Sequence, residues 1–132
     1  MNYLAIILAG LAFWILGAIW YSPVLFQKTW QTESGLTDDD VKKNLAITFG
    51  GSLLMMILMS YGLSYIVGAH DAADRTFSHG MFHGALTGVM FAMASMAINY
   101  LYQRKSLKLF AIDAIYQILG LAVAGGVLAI ML

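Results

Sequence analysis

Asp113 is the only acidic residue inside any of the long apolar stretches of this chain. A carboxylate held in a bilayer costs about 3 kcal/mol at the centre of a helix and less near an end, so it needs either a partner or a task. Asp113, Tyr116, Gln117 and Gly120 fall at i, i+3, i+4 and i+7, which gives one polar face if the segment is helical. Two chemistries fit. One is a protonatable or cation-binding site built from Asp113, Tyr116, Gln117 and Asn99. The other is a structural carboxylate bonded to Asn99, Tyr116 or Arg104, which a position close to the membrane boundary favours.

His79 and His83 form a second candidate, spaced i, i+4, with His70, Asp71 and Asp74 shortly before them. Two histidines at that spacing can share a metal on one helix face, as in the zinc helix of metalloproteases. Here Gly80 stands where the general-base Glu would follow the first His, so protease chemistry is unsupported. A transition-metal site needs a third ligand, and His70 or Asp74 could supply it. Histidines bonded to water or backbone are the commoner outcome for such a pair.

Other clusters have simpler explanations. Asp38, Asp39 and Asp40 cannot all face one ion at a helix start, whereas Thr37 and Asp40 fit a capping box and the helix dipole favours all three charges. Met55, Met56 and Met59, with Met90, Met93 and Met96, could suit Cu(I), but Met also fills gaps in apolar packing. The chain has no Cys, which excludes disulfides, thiolate sites and thiol catalysis. Haem is poorly served, because two His on one helix cannot ligate opposite faces of an iron. No cofactor is expected.

The elements that must position these residues follow from composition. Of 132 residues, 61% are hydrophobic and 11% charged, with a mean hydropathy of +0.78. A soluble domain carries roughly a quarter charged residues. Lys plus Arg and Asp plus Glu balance at 7 each, so no basic nucleic-acid surface is expected. Four stretches, Tyr3–Tyr21, Leu45–Ala69, Phe77–Tyr102 and Leu109–Leu132, approach or exceed the roughly 20 apolar residues that cross a bilayer. None alternates with period two, which excludes a β-barrel and leaves helices as the way to satisfy the backbone in lipid. The fold class is therefore an all-α integral membrane protein, a single domain of four transmembrane helices. The first stretch lacks a basic flank and has Trp14, Trp20 and Tyr21 where a cleavage site would need small residues, so a retained helix is expected.

Lys28, Lys42 and Lys43 lie in the first connection and Arg104, Lys105 and Lys108 in the third, against Arg75 alone in the second. The positive-inside rule then puts connections one and three in the cytoplasm and both termini outside. In the first connection, Ser22-Pro23 reads as an N-cap and first helical residue. The segment 23–31 would be a short amphipathic helix in the interface, with Leu25, Phe26 and Trp30 on one side and Trp20, Tyr21 and Trp30 as anchors. Gly35 permits a turn, and Thr37 opens the next helix with Leu36 stapled to Val41.

The segment Gly17-Ala18-Ile19-Trp20-Tyr21-Ser22-Pro23-Val24-Leu25-Phe26, with Lys28 and Trp30, resembles a bacterial membrane family, as does Ile112-Asp113-Ala114-Ile115-Tyr116-Gln117. That family is labelled domain of unknown function seventeen-sixty-one. The likeness covers essentially the whole chain, and Trp-Tyr-Ser-Pro is its most specific part. It implies a small four-helix protein of the bacterial inner membrane, with no established activity and no catalytic residues to carry over.

Gly80, Gly84 and Gly88 recur every four residues along the third span, continued by Ala92, with His83, Thr87, Ser95 and Asn99 near the same face at 100° per residue. Such stripes let helix backbones approach closely, within one chain or between subunits. Asn99 and Gln103 fall at about the depth of Asp113. No nucleophile–base pair is evident, so an enzyme is not expected. The expectation is a structural or interaction module that assembles through small-residue faces, as a homo-oligomer or with another membrane protein. The alternative is a homo-oligomeric ion or small-solute pathway that uses Asp113.

Overall fold

The computed structural model describes residues 1–132 and contains helices and no strand. Four helices are long and apolar enough to cross a membrane: α1 (Tyr3–Trp20), α4 (Leu45–Gly68), α5 (Phe77–Tyr102) and α6 (Leu107–Met131). Two short helices, α2 (Gln27–Ser34) and α3 (Asp38–Lys42), occupy the first connection. Local chemistry sets most ends. The side chains of Asn2, Thr37, Thr76 and Ser106 each accept a backbone N–H at the start of a helix. The Schellman closure of α5 places Arg104 in the left-handed region at φ 58°, with Lys105 N–H reaching Tyr100 O and Arg104 N–H reaching Leu101 O.

The first connection departs from expectation. Ser22 and Pro23 do not start a helix; residues 22–26 form turns and α2 begins four residues after Pro23, at Gln27. Phe26 N–H bonds back to Trp20 O, which closes the turn and delays the helix. Trp20 and Tyr21 point into the bundle rather than serving only as interfacial anchors, as their partners below establish. Thr37 and Asp40 do form the reciprocal capping box, but α3 lasts little more than a turn, because Asn44 at φ 52° breaks the chain before α4.

α6 is the hub. More than half of its apolar window, 56%, is buried inside the protein, against 6% for α4. It packs on α1, α4 and α5, so its face toward each neighbour must be close-fitting. Gly80 and Gly125 meet backbone to backbone, since a Cβ on either would strike the carbonyl oxygen of the other. Gly84 lies against Leu121 O, and a Cβ on Gly88 would come within 2.8 Å of Ile118 Cα. The glycine stripe of α5 is thus used inside one chain, against α6. Of the two uses open to Gly80, Gly84 and Gly88, packing within one chain or between subunits, the contacts here are the first. Without Cβ atoms the two backbones gain the dispersion contacts that drive helix pairing in lipid.

The first half of α5 (Phe77–Thr87) and its last part (Ala94–Tyr102) are α-helical, but Gly88–Met93 is a π-helical segment. A π turn inserts one extra residue and rotates everything beyond it by about 100° relative to an uninterrupted helix. Ala92 still extends the stripe, but beyond it Ser95 and Asn99 are exposed, and Met93, Met96 and Tyr100 turn inward instead.

Candidate functional site

At the end of the bundle that carries the first and third connections, Asp113 is 9% exposed and lies between α1, α5 and α6. The Tyr21 hydroxyl donates to its Oδ1 at 2.6 Å, and the Tyr100 hydroxyl donates to its Oδ2 at 2.6 Å. One bond ties α6 to the residue that caps the end of α1, and the other ties it to α5. O–H···O bonds of that length are at the short end of the range for hydroxyl donors. Alongside them, Trp20 Nε1–H donates to Ile112 O at 3.1 Å. The Tyr21 ring stands edge-on to Tyr116 and Trp30, at centroid distances of 5.2 and 5.8 Å.

The expected partners of Asp113 are elsewhere. Asn99 is exposed, because the π segment has rotated it off the inner face and put Tyr100 there. Tyr116 donates to Phe13 O at 3.2 Å, with its hydroxyl seated where a Cβ on Gly17 would lie. Gln117 makes no bond to Asp113, and its buried Oε1 has no hydrogen-bond partner. Arg104 terminates α5. Of the set Asp113, Tyr116, Asn99 and Gln117, only Asp113 belongs to the cluster, and sequence reasoning missed Tyr21 and Tyr100. Tyr21 was legible in part: the aromatic pair Trp20-Tyr21 ends a span at the same membrane boundary as Asp113.

The opposite end carries the termini, where Asn2 Nδ2 donates to Met131 O at 2.9 Å. Here His70, His79 and His83 converge. One ligating atom from each lies within 4.8 Å of the others, and all three residues are half-buried. The Nε2 atoms of His79 and His83 are 2.7 Å apart, with the rings stacked at a centroid distance of 4.6 Å. The His70 ring centroid is 4.2 Å from that of His83 and 4.9 Å from that of His79. His79 and His83 share a face of α5 by helical spacing, and His70 is delivered by the turn after α4. That turn is clamped by Arg75, whose Nε donates to His70 O and whose guanidinium NH2 donates to Gly68 O, each at 2.9 Å. Asp71 and Asp74 are not part of the cluster.

The acidic triplet does not converge. Asp40 closes the capping box, and Asp38 accepts from Gln31 Nε2 at 2.7 Å. The Thr37 backbone N–H and then its hydroxyl hold the Asp40 carboxyl below its usual range.

The chain belongs to the family described as "Protein of unknown function (DUF1761)", whose model matches residues 4–129. No curated protein and no solved structure matches the chain.

Proposed function

We propose that this member of a family without an assigned activity works as a non-enzymatic structural or interaction module of the bacterial inner membrane, with both termini on the non-cytoplasmic side. The observation that carries the reading is the use of Asp113: both side-chain oxygens accept hydroxyls, one from Tyr21 at the end of α1 and one from Tyr100 on α5, so this one side chain fastens α1, α5 and α6 together. The close α5–α6 seam supports the same view, because backbone contact along Gly80, Gly84 and Gly88 leaves no room for a solute between those helices. The orientation rests on the basic residues of connections one and three.

Partner contact falls to surfaces outside the seam. On α4, Gly51, Leu58 and Gly62 lie in line along one face by helical geometry. A Cβ on Gly51 or Gly62 would meet nothing within 4 Å, and Leu58 is 58% exposed. We assign self-association to this face, in place of the stripe on α5.

Proteoliposomes test the reading against an oligomeric ion pathway. The parent protein and Asp113→Asn are compared for proton, Na+ and K+ flux beside a melting curve for each. The module reading expects no flux above empty vesicles. A flux in the parent that Asp113→Asn abolishes, with the melting temperature retained, would establish the pathway instead.

A further inference from the structure

We infer that His70, His79 and His83 form a binding site for a single divalent transition-metal ion of the zinc type. This goes beyond the role proposed above and does not depend on it. Imidazole nitrogen suits Zn2+, Cu2+, Ni2+ and Co2+, whereas Mg2+ and Ca2+ require oxygen ligands, and no carboxylate joins this cluster. The site also holds no sulfur, which disfavours Cu(I).

The geometry is close to what such an ion demands. Three nitrogens at about 2.0–2.1 Å from a tetrahedral metal sit roughly 3.4 Å from one another. Here the separations run from 2.7 Å for the His79–His83 pair up to the 4.8 Å limit that encloses all three. Binding therefore opens the shortest separation slightly and draws His70 inward. His70 is already set in the tautomer that a ligand needs. Its Nδ1 lies 3.0 Å from Ile66 O, and since a carbonyl only accepts, Nδ1 carries the proton and Nε2 keeps its lone pair.

The backbone that presents the rings is fixed independently of any metal. Arg75 clamps the carbonyls of Gly68 and His70, and the Thr76 side chain caps α5 at the His79 N–H. Two ligands come from one helix and the third from the neighbouring turn, so a bound ion would cross-link the end of α4 to the start of α5. Three protein ligands leave the fourth tetrahedral position for water or an incoming group.

The test uses full-length protein purified without a polyhistidine tag, stripped with chelator and titrated in detergent with ZnCl2. Binding is read by calorimetry and thermal shift, and CoCl2 serves as a spectroscopic stand-in. The expected result is saturation at one ion per chain, a raised melting temperature, and a visible d–d band of four-coordinate Co2+. His70→Asn and His79→Gln should each lower Zn2+ affinity by about tenfold or more, since even a lost outer-shell partner costs 10- to 100-fold. His70 lies outside the spans, so its replacement keeps the test clear of folding defects, which helical circular dichroism monitors. Absence of saturable Zn2+ binding, or an affinity unmoved by both variants, would overturn the assignment.

Discussion

Tyr100 reaches Asp113 although their Cα positions lie at different depths of the α5–α6 seam. The Gly84–Leu121 and Gly88–Ile118 contacts set an antiparallel register that would bring residue 100 level with about residue 106. Helical side chains lean toward their own N-terminus, so the Tyr100 phenol leans away from the connection while the Asp113 carboxylate leans toward it. The two meet between those levels at 2.6 Å.

Substitutions at Asp113 separate charge from hydrogen bonding. Asp113→Asn keeps one acceptor and gains a donor that a rotated phenol can accept, so its stability should stay within about 1 kcal/mol of the parent. Asp113→Leu strands two hydroxyls and should lose about 2–4 kcal/mol. Thermal unfolding in one detergent checks both, and a larger loss for Asn than for Leu would contradict the clasp.

The π segment makes a paired prediction. Tyr100→Phe deletes one bond to a buried carboxylate and should cost about 1.5–3 kcal/mol. Asn99→Ala, on the exposed face, should stay within about 0.5 kcal/mol. An uninterrupted helix would reverse that order, which the same melting series would reveal.

How much of this was legible beforehand depends on whether the signal is local. The four spans follow from length and hydropathy, and the Thr37–Asp40 box from residue types three apart. A regular 100° step through Gly88–Met93 puts Asn99 opposite Asp113, and nothing in those residue types announces an inserted π turn. Pro23 failed to start a helix because a tertiary matter, the inward pull of Trp20 and Tyr21, decides the turn. The centrality of α6 was hidden for another reason: lipid and protein interior are both apolar, so hydropathy does not rank the spans. At the other end, the His79–His83 pair was visible from spacing, while the choice of His70 over Asp74 needed the fold of the turn.

Gly84 and the α4 face should respond differently to bulk. Gly84→Leu drives a side chain into Leu121 O and should lower the melting temperature of the chain itself, with overpacking costing about 1–3 kcal/mol or more. Gly51→Leu with Gly62→Leu meets open space in the protomer and should leave its melting unchanged while lowering the assembled mass in nanodiscs. Equal mass for parent and double variant would remove self-association through α4.

Cysteine labelling tests the orientation. A cysteine at Glu33 should resist a membrane-impermeant reagent in intact cells, and one at Ala73 should react. The reverse pattern would invert the topology.

The capping box gives a pH signature. Asp40 is held below its ordinary value in the folded state, so its contribution is full above the unfolded carboxylate range and is lost as pH falls through the folded value. The protection of the Thr37 and Asp40 amides, taken against the intrinsic exchange rate at each pH, should fall on acidification for that reason, and Asp40→Asn should flatten the response. An acid response retained in Asp40→Asn would assign it to another group.

The helix that is central in space is the last of the four spans in chain order. During biogenesis the first three spans enter the bilayer before their common partner exists. Until then the glycines of α5 face lipid, and the phenols of Tyr21 and Tyr100 have no carboxylate to grip. Each early helix satisfies its own backbone and can wait in that condition. Insertion and assembly are therefore two stages, with the fourth span as keystone. A chain interrupted before it would present bare small-residue faces and unclaimed hydroxyls, the features by which an orphaned membrane segment differs from a finished one.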